Sequence, residues 1–315
     1  MRAIVVEHQG DLGSLREFPE PSFASNEIFV RVTAAGVNPM DRKVRDRGDR
    51  AVPFVLGQDF AGVVSAAGDR VSKYHEGERV FGIARNRGAY AEYTVVPEDD
   101  HVQPVAKIPD DVSDADAAAL PTAGLTALAA MDALAVAKGT TLLVLGATGG
   151  VGGFAVQMAR DRGAFVIGTA RDSNESLARD LGVEEFVAYN RDDVNQKVRA
   201  AHPAGIDAVL DLVDDTPGMK QVAELVRDGG RAASSIGSVD VDWFAQRKIV
   251  AVNLVMPRTP ESSNAGLRNL VQLLEQGRLR VLISSERPLA DAANALAESK
   301  AGAIDGKLVL TVTDR

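Results

Sequence analysis

Hydrophobic and polar residues alternate in two different ways along the chain, and the change comes near Pro121. Before that point, short β-branched runs such as EIFVRVTAAGV and AEYTVV are separated by Gly, Pro and Asp. Apolar runs bounded by turn residues predict strands joined by tight turns. The sequence therefore predicts that residues 1–121 form a β domain, and the frequent glycines favour a small, strongly curved barrel.

After Pro121, segments with helical spacing alternate with short apolar runs. The predicted elements in this region include strands at 185–189 and 208–213, a helix over 217–227 and a strand after Gly229-Gly230. Alternation of strand and helix is typical of βαβ units in a parallel, doubly wound sheet. We therefore expect residues 122–261 to form an α/β domain of this kind.

The tail from Ser262 contains a helix-like segment, LRNLVQLLEQG, which ends at Gly277, and closes with the apolar run KLVLTV. A chain that leaves the α/β domain and finishes in a strand is expected to return to the β domain. The prediction is thus two domains, of which the first comprises residues 1–121 and 262–315.

The charge of the chain restricts its partners. Lys and Arg total 35 against 44 Asp and Glu, which gives a net charge of -9. Such a surface repels nucleic-acid backbones and anionic lipid, so the expected partners are small molecules or protein. The N-terminal MRAIVVEHQG lacks the pattern of a signal peptide, and no apolar run approaches the ~20 residues of a membrane span. The default expectation is a cytoplasmic protein.

The stretch VLGATGGVGG, residues 144–153, follows an apolar run and precedes an amphipathic segment. A dinucleotide-binding turn needs glycine where the chain reverses, where backbone meets pyrophosphate, and where helix packs on strand. Gly146, Gly149 and Gly152 have this spacing, and a helix behind them would point its N-terminus at the phosphates. The expected cofactor-binding residues are Gly146, Ala147, Thr148, Gly149, Gly150, Val151 and Gly152. A glycine-rich hinge without a ligand is the alternative.

The end of the next predicted strand, FVIGTAR, bears on the choice of dinucleotide. An acidic residue there holds the ribose hydroxyls of NAD, whereas an arginine pairs with the 2′-phosphate of NADP. The strand ends Thr169-Ala170-Arg171, and Asp172 follows. Arg171 favours NADPH, with a solvated surface arginine as the alternative.

Several segments together resemble the medium-chain dehydrogenase/reductase superfamily, specifically its zinc-independent quinone oxidoreductase, or zeta-crystallin-like, branch. They follow the family's order along the whole chain: AAGVNPMDRKVRDRG, PFVLGQDFAGVVSAAGDRVSKYHEGERVFG, GAYAEYTVV, LPTAGLTALAAM, GATGGVGGFAVQMAR, DGGRAASSIG and GKLVLTV. The resemblance implies a GroES-like β-barrel catalytic domain and a Rossmann NADP-binding domain. It also implies a homodimer joined at the run KIVAVNLV, residues 248–255, which could equally be core.

Zinc-dependent alcohol dehydrogenases of the same superfamily place a cysteine where this chain reads Gly36-Val37-Asn38, and a His-Glu pair where it reads Gln58-Asp59. The chain contains no cysteine and only four histidines, which are scattered. Those histidines are His8, His75, His101 and His202. Without soft ligands a tetrahedral zinc site cannot be assembled convincingly. The sequence therefore predicts no metal.

Hydride addition to a quinone or an α,β-unsaturated carbonyl leaves an oxyanion, which needs hydrogen-bond donors. By resemblance, Asn38 hydrogen-bonds near the nicotinamide ribose or the substrate, and Asp41 holds its loop. Lys43 would stabilise enolate charge or donate a proton through water. An Asn-Pro turn followed by an exposed charge run is the alternative.

The resemblance implies further contacts with the cofactor. Thr122 and Thr126 would lie by the nicotinamide, and Tyr189 by the adenosine phosphate. The other residues expected along the cofactor channel are Thr169, Ser173, Ser235, Ile236, Gly237 and Asn253. The chain departs from the family at Glu175, where a lysine is common, and at Asp214-Asp215, where two glycines are common.

The predicted function is a zinc-independent, NADPH-dependent reductase of quinones or related α,β-unsaturated carbonyls. An enoyl-thioester or alkenal reductase on the same fold is one alternative. The other is a non-catalytic NADPH-binding sensor or structural protein, because a fold alone does not determine chemistry.

Overall fold

The computed structural model describes residues 1–84, 88–256, 259–301 and 304–312. The strands are β1 (Arg2–Val6), β2 (Ser14–Glu17), β3 (Glu27–Gly36), β4 (Phe54–Val55), β5 (Asp59–Ala67), β6 (Arg79–Ile83), β7 (Tyr93–Pro97), β8 (Val105–Lys107), β9 (Thr141–Leu145), β10 (Phe165–Ala170), β11 (Glu185–Ala188), β12 (Ile206–Asp211), β13 (Val226–Ser234), β14 (Val250–Asn253), β15 (Ile283–Pro288) and β16 (Lys307–Thr311). The helices are α1 (Pro39–Arg47), α2 (Asp114–Ala119), α3 (Pro121–Ala133), α4 (Gly150–Asp161), α5 (Glu175–Leu181), α6 (Val194–Ala201), α7 (Thr216–Val222), α8 (Val241–Ala245), α9 (Asn264–Glu275) and α10 (Ala292–Ala301). Within the described ranges, no helix is long and apolar enough to cross a bilayer.

The chain forms two compact units. The first comprises Met1–Leu125, Ser262–Glu275 and Val281–Arg315, and the second comprises Thr126–Glu261 and Gln276–Arg280. The short segment Gln276–Arg280 belongs to the second unit because the Gln157 side chain hydrogen-bonds both backbone groups of Arg280, at 2.9 and 3.1 Å. An ion pair between Arg278 and Asp161 adds to this attachment.

The second unit is built on one parallel sheet with the strand order β11-β10-β9-β12-β13-β14. Leu143 in β9 pairs with Ile167 on one side and Val209 on the other, and all three side chains are fully buried. The chain continues outward from β9 in both directions, so the strand order reverses there. The predicted doubly wound sheet is confirmed, and the carboxyl end of β9 is the point where such folds bind dinucleotides.

The first unit is largely antiparallel. Its larger sheet has the order β15-β16-β3-β5-β6-β8, with β7 also paired to β3, and a smaller sheet has the order β2-β1-β4. The long strand β3 therefore lies at the centre of the larger sheet. The last strand, β16, pairs with β3 in antiparallel fashion, so the end of the chain lies beside the middle of the N-terminal region.

The helix expected over 217–227 extends five residues beyond the helix that the structure shows. The observed helix α7 ends at Val222, a 3-10 turn follows over Ala223–Leu225, and β13 already begins at Val226. The reason is that Val226 pairs with Ile206 of β12, which draws the chain into the sheet. The strand expected after Gly229-Gly230 therefore includes this glycine pair.

Candidate functional site

The turn after β9 has the form of a dinucleotide cradle. Gly146 has a φ of 86°, in the region that favours glycine. A Cβ on Gly152 would lie 2.0 Å from the Gly146 carbonyl oxygen, so only glycine lets α4 approach this closely. A Cβ on Gly149 would meet only that same oxygen, at 3.5 Å. The fold therefore requires Gly146 and Gly152, while Gly149 has space beside it.

The N-terminus of α4 fits a pyrophosphate. Gly149 is the N-cap, no side chain caps this end, and the first turn contains no acidic residue. The first N–H groups of a helix lack intrahelical partners and carry the positive end of the helix dipole. Phosphate oxygens are the acceptors that such an end binds, so the backbone of Gly150 and Val151 fits this part of a dinucleotide.

Thr169 in β10 supports the glycine turn from within the unit. Its hydroxyl accepts a hydrogen bond from the Gly146 N–H at 3.1 Å, and its carbonyl accepts one from the Ala147 N–H at 2.8 Å. Thr169 is buried, as is Thr148. The structure places Thr169 behind the turn, where it orients the backbone, and the cofactor contact expected from the sequence stays a prediction.

Arg171 lies exposed directly after β10, beside the residues that follow β11. Its Nε donates to the Tyr189 hydroxyl at 3.0 Å. Asp172 accepts a hydrogen bond from Asn190 at 2.9 Å and lies 3.7 Å from the Arg191 Nε. The hydrogen bond from Asn190 keeps the pKa of Asp172 below its usual value. This edge thus combines two guanidinium groups and a phenol with one carboxylate.

A single 3-10 turn over Asp172–Asn174 leads from this edge back toward the glycine turn. Ser173 is exposed in it, and its N–H donates to the Asp172 carboxylate at 2.9 Å. The Asn174 amide lies 3.5 Å from the Thr148 hydroxyl. The predicted residues Thr148, Arg171 and Ser173 are therefore placed along one side of the unit.

The loops after β12 and β13 are held by Asp211, a buried carboxylate that the sequence analysis missed. Its Oδ1 accepts the N–H groups of Val213 and Asp214 at 3.0 and 2.8 Å, and its Oδ2 accepts the hydroxyls of Ser234 and Ser238. The backbone bonds turn the chain out of the sheet, so the predicted strand ends two residues early. A charge inside the apolar run AVLDLV was the available signal.

Ser235, Ile236 and Gly237 form the loop that leaves β13. Ile236 is partly exposed, and Gly237 has a φ of 90°. Asn253, at the end of β14, directs its side-chain amide to both backbone groups of Val239, at 2.8 and 3.0 Å. The loop thus lies at the carboxyl edge of the sheet, the Asn253 amide has a protein partner, and its expected cofactor contact stays a prediction.

The first unit contains a buried polar network around Asn38. The Asn38 N–H donates to Asp41 Oδ2 at 2.9 Å, and the Tyr90 hydroxyl donates to the same oxygen at 2.7 Å. Asn38 is the N-cap of α1 and Pro39 its first residue, a favourable start for a helix. This is the geometry of a carboxylate that holds the loop, the role that the resemblance implied for Asp41.

The side chain of Asn38 is fully engaged within the protein. Its Nδ2 donates to Asp59 Oδ2 at 2.9 Å, its Oδ1 accepts from Lys307 Nζ, and the residue is only 2% exposed. Two buried partners thus hold the Asn38 side chain, and the ligand contact that the resemblance implied for it stays a prediction. Lys43, further along α1, is partly exposed and hydrogen-bonds none of the described residues.

Asp59 also holds the beginning of α3. Its Oδ2 accepts the Thr122 N–H at 3.1 Å, and its Oδ1 accepts the Thr122 hydroxyl at 2.6 Å. Asp59 and Thr126 are buried, and Thr122 is partly exposed. The structure therefore connects the predicted residues Asn38 and Thr122 through a carboxylate to which the sequence analysis gave no role.

Burial shifts the acidity of this network. Desolvation raises the pKa of Asp41 to about 7, against the opposing effect of the Tyr90 hydrogen bond. Asp41 Oδ1 has no hydrogen-bond partner among the described residues, which leaves that oxygen without compensation for lost water. Burial raises the pKa of Asp59 and lowers that of Lys307, and the attraction between the two opposes both shifts. Asp41 therefore changes charge near neutral pH.

Comparison with known proteins places the whole chain in one family. Residues 24–110 match the alcohol dehydrogenase GroES-like domain, and residues 181–310 match the family described as zinc-binding dehydrogenase. A quinone oxidoreductase from Lama guanicoe is 32% identical over 98% of this chain and 97% of its own length. The chain belongs to the quinone oxidoreductase branch of the medium-chain dehydrogenase/reductase superfamily. The predicted family is thereby confirmed.

Solved structures confirm the predicted fold class of a GroES-like domain with a Rossmann domain. A mycobacterial protein in complex with NADPH has a TM-score of 0.87 and 28% identity, covering 99% of this chain and 100% of its own. An NAD-dependent alcohol dehydrogenase has a TM-score of 0.88 and 28% identity, with the same coverage. One of these similar structures is described with NADPH and the other as NAD-dependent. Likeness of fold therefore does not decide between NADPH and NADH for this chain.

Two charged residues of the buried polar network around Asn38, Asp59 and Lys307, were given no role from the sequence. Each stands in a run that otherwise predicts a buried strand, LGQDFAGVV and GKLVLTV. A charge in such a run is rarely buried without a partner. That rule would have predicted partners for both residues, although not which ones.

Asp41→Asn is expected to flatten the dependence of stability on pH between about pH 4 and pH 7. The pKa of Asp41 rises from 3.8 to about 7 on folding, so the folded state binds more protons in this window. The stability due to this group is full below pH 3.8 and is lost as the pH rises through 7, at no more than about 1.4 kcal/mol per pH unit. Free energies of unfolding in urea at several pH values measure the slope.

Asp46→Asn is the matched control in the same helix. Asp46 is exposed, and its hydrogen bonds with Arg45 and Arg42 hold its pKa below the usual value. Its removal should therefore leave the slope above pH 5 as in the wild type. An Asp41→Asn protein that keeps the wild-type slope would contradict the raised pKa.

Proposed function

We propose that this chain is an NADPH-dependent reductase of quinones or related α,β-unsaturated carbonyls that works without a metal. The observation that carries the proposal is the uncapped N-terminus of α4 behind a glycine turn, at the switch point of the parallel sheet. The likeness to a quinone oxidoreductase over nearly the whole chain supports the class of acceptor.

In this proposal the second unit binds the dinucleotide largely through its backbone. The pyrophosphate lies on the N–H groups of Gly150 and Val151, next to the space at Gly149. Arg171 pairs with the 2′-phosphate, because its guanidinium is exposed and is steadied by the hydrogen bond to Tyr189.

Bound NADPH would supply the hydride, and the protein must stabilise the charge that develops on the acceptor oxygen. We assign this role to Lys43, whose ammonium is partly exposed on α1. The helix that carries it is fixed at its beginning by the Asn38, Asp41 and Tyr90 hydrogen bonds. Lys43 would hold the oxyanion directly or pass a proton to it through water.

The donor chemistry around Asp59 supports reduction without zinc. The chain has no cysteine, and Gln58 stands where zinc-dependent relatives have histidine. Asp59 accepts hydrogen bonds from Asn38 and Thr122, and the nearby positive charge is the ammonium of Lys307. Nowhere in the described part of the chain do three or more His, Asp or Glu side chains gather as a metal site.

The purified protein is expected to oxidise NADPH in the presence of a simple quinone, and Lys43→Met to lower kcat by about 10²-fold. The Kd for NADPH should stay near the wild-type value, because the lost contact is made with the transition state. Loss of NADPH absorbance gives the rate, and fluorescence titration gives the Kd.

Arg42→Met is the control for loss of charge on the same helix. Arg42 forms an ion pair with Asp46 at 3.0 Å, and its removal should leave most of kcat. Absence of turnover with quinones, enones and enoyl thioesters, despite measurable NADPH binding, would contradict the enzyme proposal and favour a sensor. Turnover confined to enoyl thioesters would instead support the reductase on that alternative substrate.

Arg171→Ala is expected to weaken NADPH binding by about tenfold or more while leaving NADH binding nearly unchanged. The two dinucleotides differ only in the 2′-phosphate, and a charge-assisted hydrogen bond is worth about 1.5–3 kcal/mol. Titration of both dinucleotides measures the ratio. Arg199→Ala, which removes an exposed arginine paired with Glu224, is the control. Equal losses for both dinucleotides would argue against the assignment.

We further propose that two copies of the chain pair through β14. This strand is one of the two edges of the parallel sheet, and Val250 and Val252 on one of its faces are 57% and 37% exposed. An exposed apolar edge strand is a template for pairing with another chain. Pairing of the same strand about a twofold axis closes the assembly as a dimer.

Val250→Asp combined with Val252→Asp is expected to convert the dimer to a monomer of 33.3 kDa. Like charges that oppose each other across the twofold axis destabilise the pair. Sedimentation velocity measures the mass. Leu12→Asp, at an exposed position in the first unit, should leave the dimer intact. A wild-type chain that sediments as a monomer would refute the proposed dimer.

A further inference from the structure

Lys307 is a buried lysine to which the proposed chemistry assigns no step. It is the first residue of β16 and is 5% exposed. The register that pairs Val309 with Gly36 continues to place Lys307 across from Asn38. Its Nζ donates to the Val37 carbonyl at 2.9 Å and to the Asn38 amide oxygen. The last strand therefore places an ammonium beside the loop that precedes α1.

The charge of Lys307 interacts electrostatically with two buried carboxylates, first that of Asp59 and then that of Asp41. A buried charge without a partner is strongly unfavourable. Lys307 and Asp59 therefore stabilise each other, and removal of either would leave an uncompensated charge inside the first unit.

Lys307 also leaves the Asn38 amide only one orientation. An ammonium can only donate, so it requires the amide oxygen, and a carboxylate can only accept, so it requires the amide nitrogen. The amide lies between Lys307 and Asp59, and its Nδ2 donates to Asp59 at 2.9 Å. Both neighbours thus impose the same arrangement.

Asp59 extends this constraint to α3. Its Oδ2 accepts both the Asn38 Nδ2 and the Thr122 N–H, and its Oδ1 accepts the Thr122 hydroxyl. Because Asn38 and Thr122 share one oxygen, a rotation of the Asn38 amide would alter the carboxylate that holds Thr122.

We infer that Lys307 is a positioning residue for Thr122: its ammonium fixes the Asn38 amide, which holds Asp59, which in turn holds the Thr122 hydroxyl and the first turn of α3. The inference rests on the proposed function only where it takes Thr122 as a cofactor contact. The hydrogen-bonded relay itself lies entirely within the first unit.

Lys307→Met removes the ammonium and keeps an unbranched side chain that is one heavy atom shorter. Amide hydrogen exchange followed by mass spectrometry is expected to accelerate by about tenfold or more in peptides covering 38–41 and 122–125. Lys307→Arg, which retains the charge, should restore part of the protection. Leu310→Ala in the same strand is the matched control, because Leu310 is fully buried but apolar and should loosen packing without selective exchange in these peptides.

Coupling in cofactor binding gives the second measurement. Thr122→Ala should raise the Kd for NADPH about fivefold in the wild-type background and less than about twofold in the Lys307→Met background, since the hydroxyl is no longer held there. Multiplicative effects of the two substitutions would overturn the inference. So would wild-type exchange in both peptides of Lys307→Met.

If Lys307→Met does not fold, a variant that lacks the charges of both Asp59 and Lys307 can be tested instead. Asp59→Asn combined with Lys307→Met removes both members of the Lys307–Asp59 pair and should fold, with rapid exchange at 38–41. Wild-type protection there would overturn the inference. If the wild-type protein binds no NADPH, the proposed function fails, while the exchange measurements still decide whether the relay exists.

Discussion

The arrangement of the first unit's site depends on one constraint: the buried Asp59 carboxylate needs hydrogen-bond donors and an opposite charge. Asp59 begins β5 within the larger sheet, where an unpaired charge would be strongly unfavourable. Its oxygens accept three hydrogen bonds from Asn38 and Thr122, and Lys307 supplies the opposite charge. The loop before α1 and the beginning of α3 are therefore ordered by the same requirement. Neither could relax without exposing a charge to an apolar interior.

In the second unit, too, buried polar side chains orient the groups that are available to a ligand. Its candidate phosphate site consists of backbone N–H groups, which cannot be placed by side-chain rotamers and must be oriented from behind. Thr169 does this for the glycine turn, and Asp211 does it for the loops that follow β12 and β13. In both units, the buried polar side chain gives the site its shape, and more exposed groups are left for the ligand.

Features that depend on local spacing could be predicted from the sequence, and features that depend on distant partners could not. The spacing of Gly146 and Gly152 and the strand–helix alternation are local, and the structure bears both out. The partners of the Asn38 side chain lie 21 and 269 residues away, so no local pattern reveals that its amide is already engaged. The protein partners of the Thr169 and Asn253 side chains were missed for the same reason, because hydrogen bonding between distant residues is a property of the folded chain.

The position of Lys307 bears on how a reductase of this family can work without zinc. A metal ion beside Asp59 would neutralise the carboxylate and also polarise the acceptor carbonyl. The Lys307 ammonium can perform only the first task, because it is buried and already donates to the Val37 carbonyl and the Asn38 amide. Under the proposed function, the second task must fall to a more exposed donor, and Lys43 on the helix that this network fixes meets that requirement. Charge balance and oxyanion stabilisation would then reside in two different lysines, one buried and one near the surface.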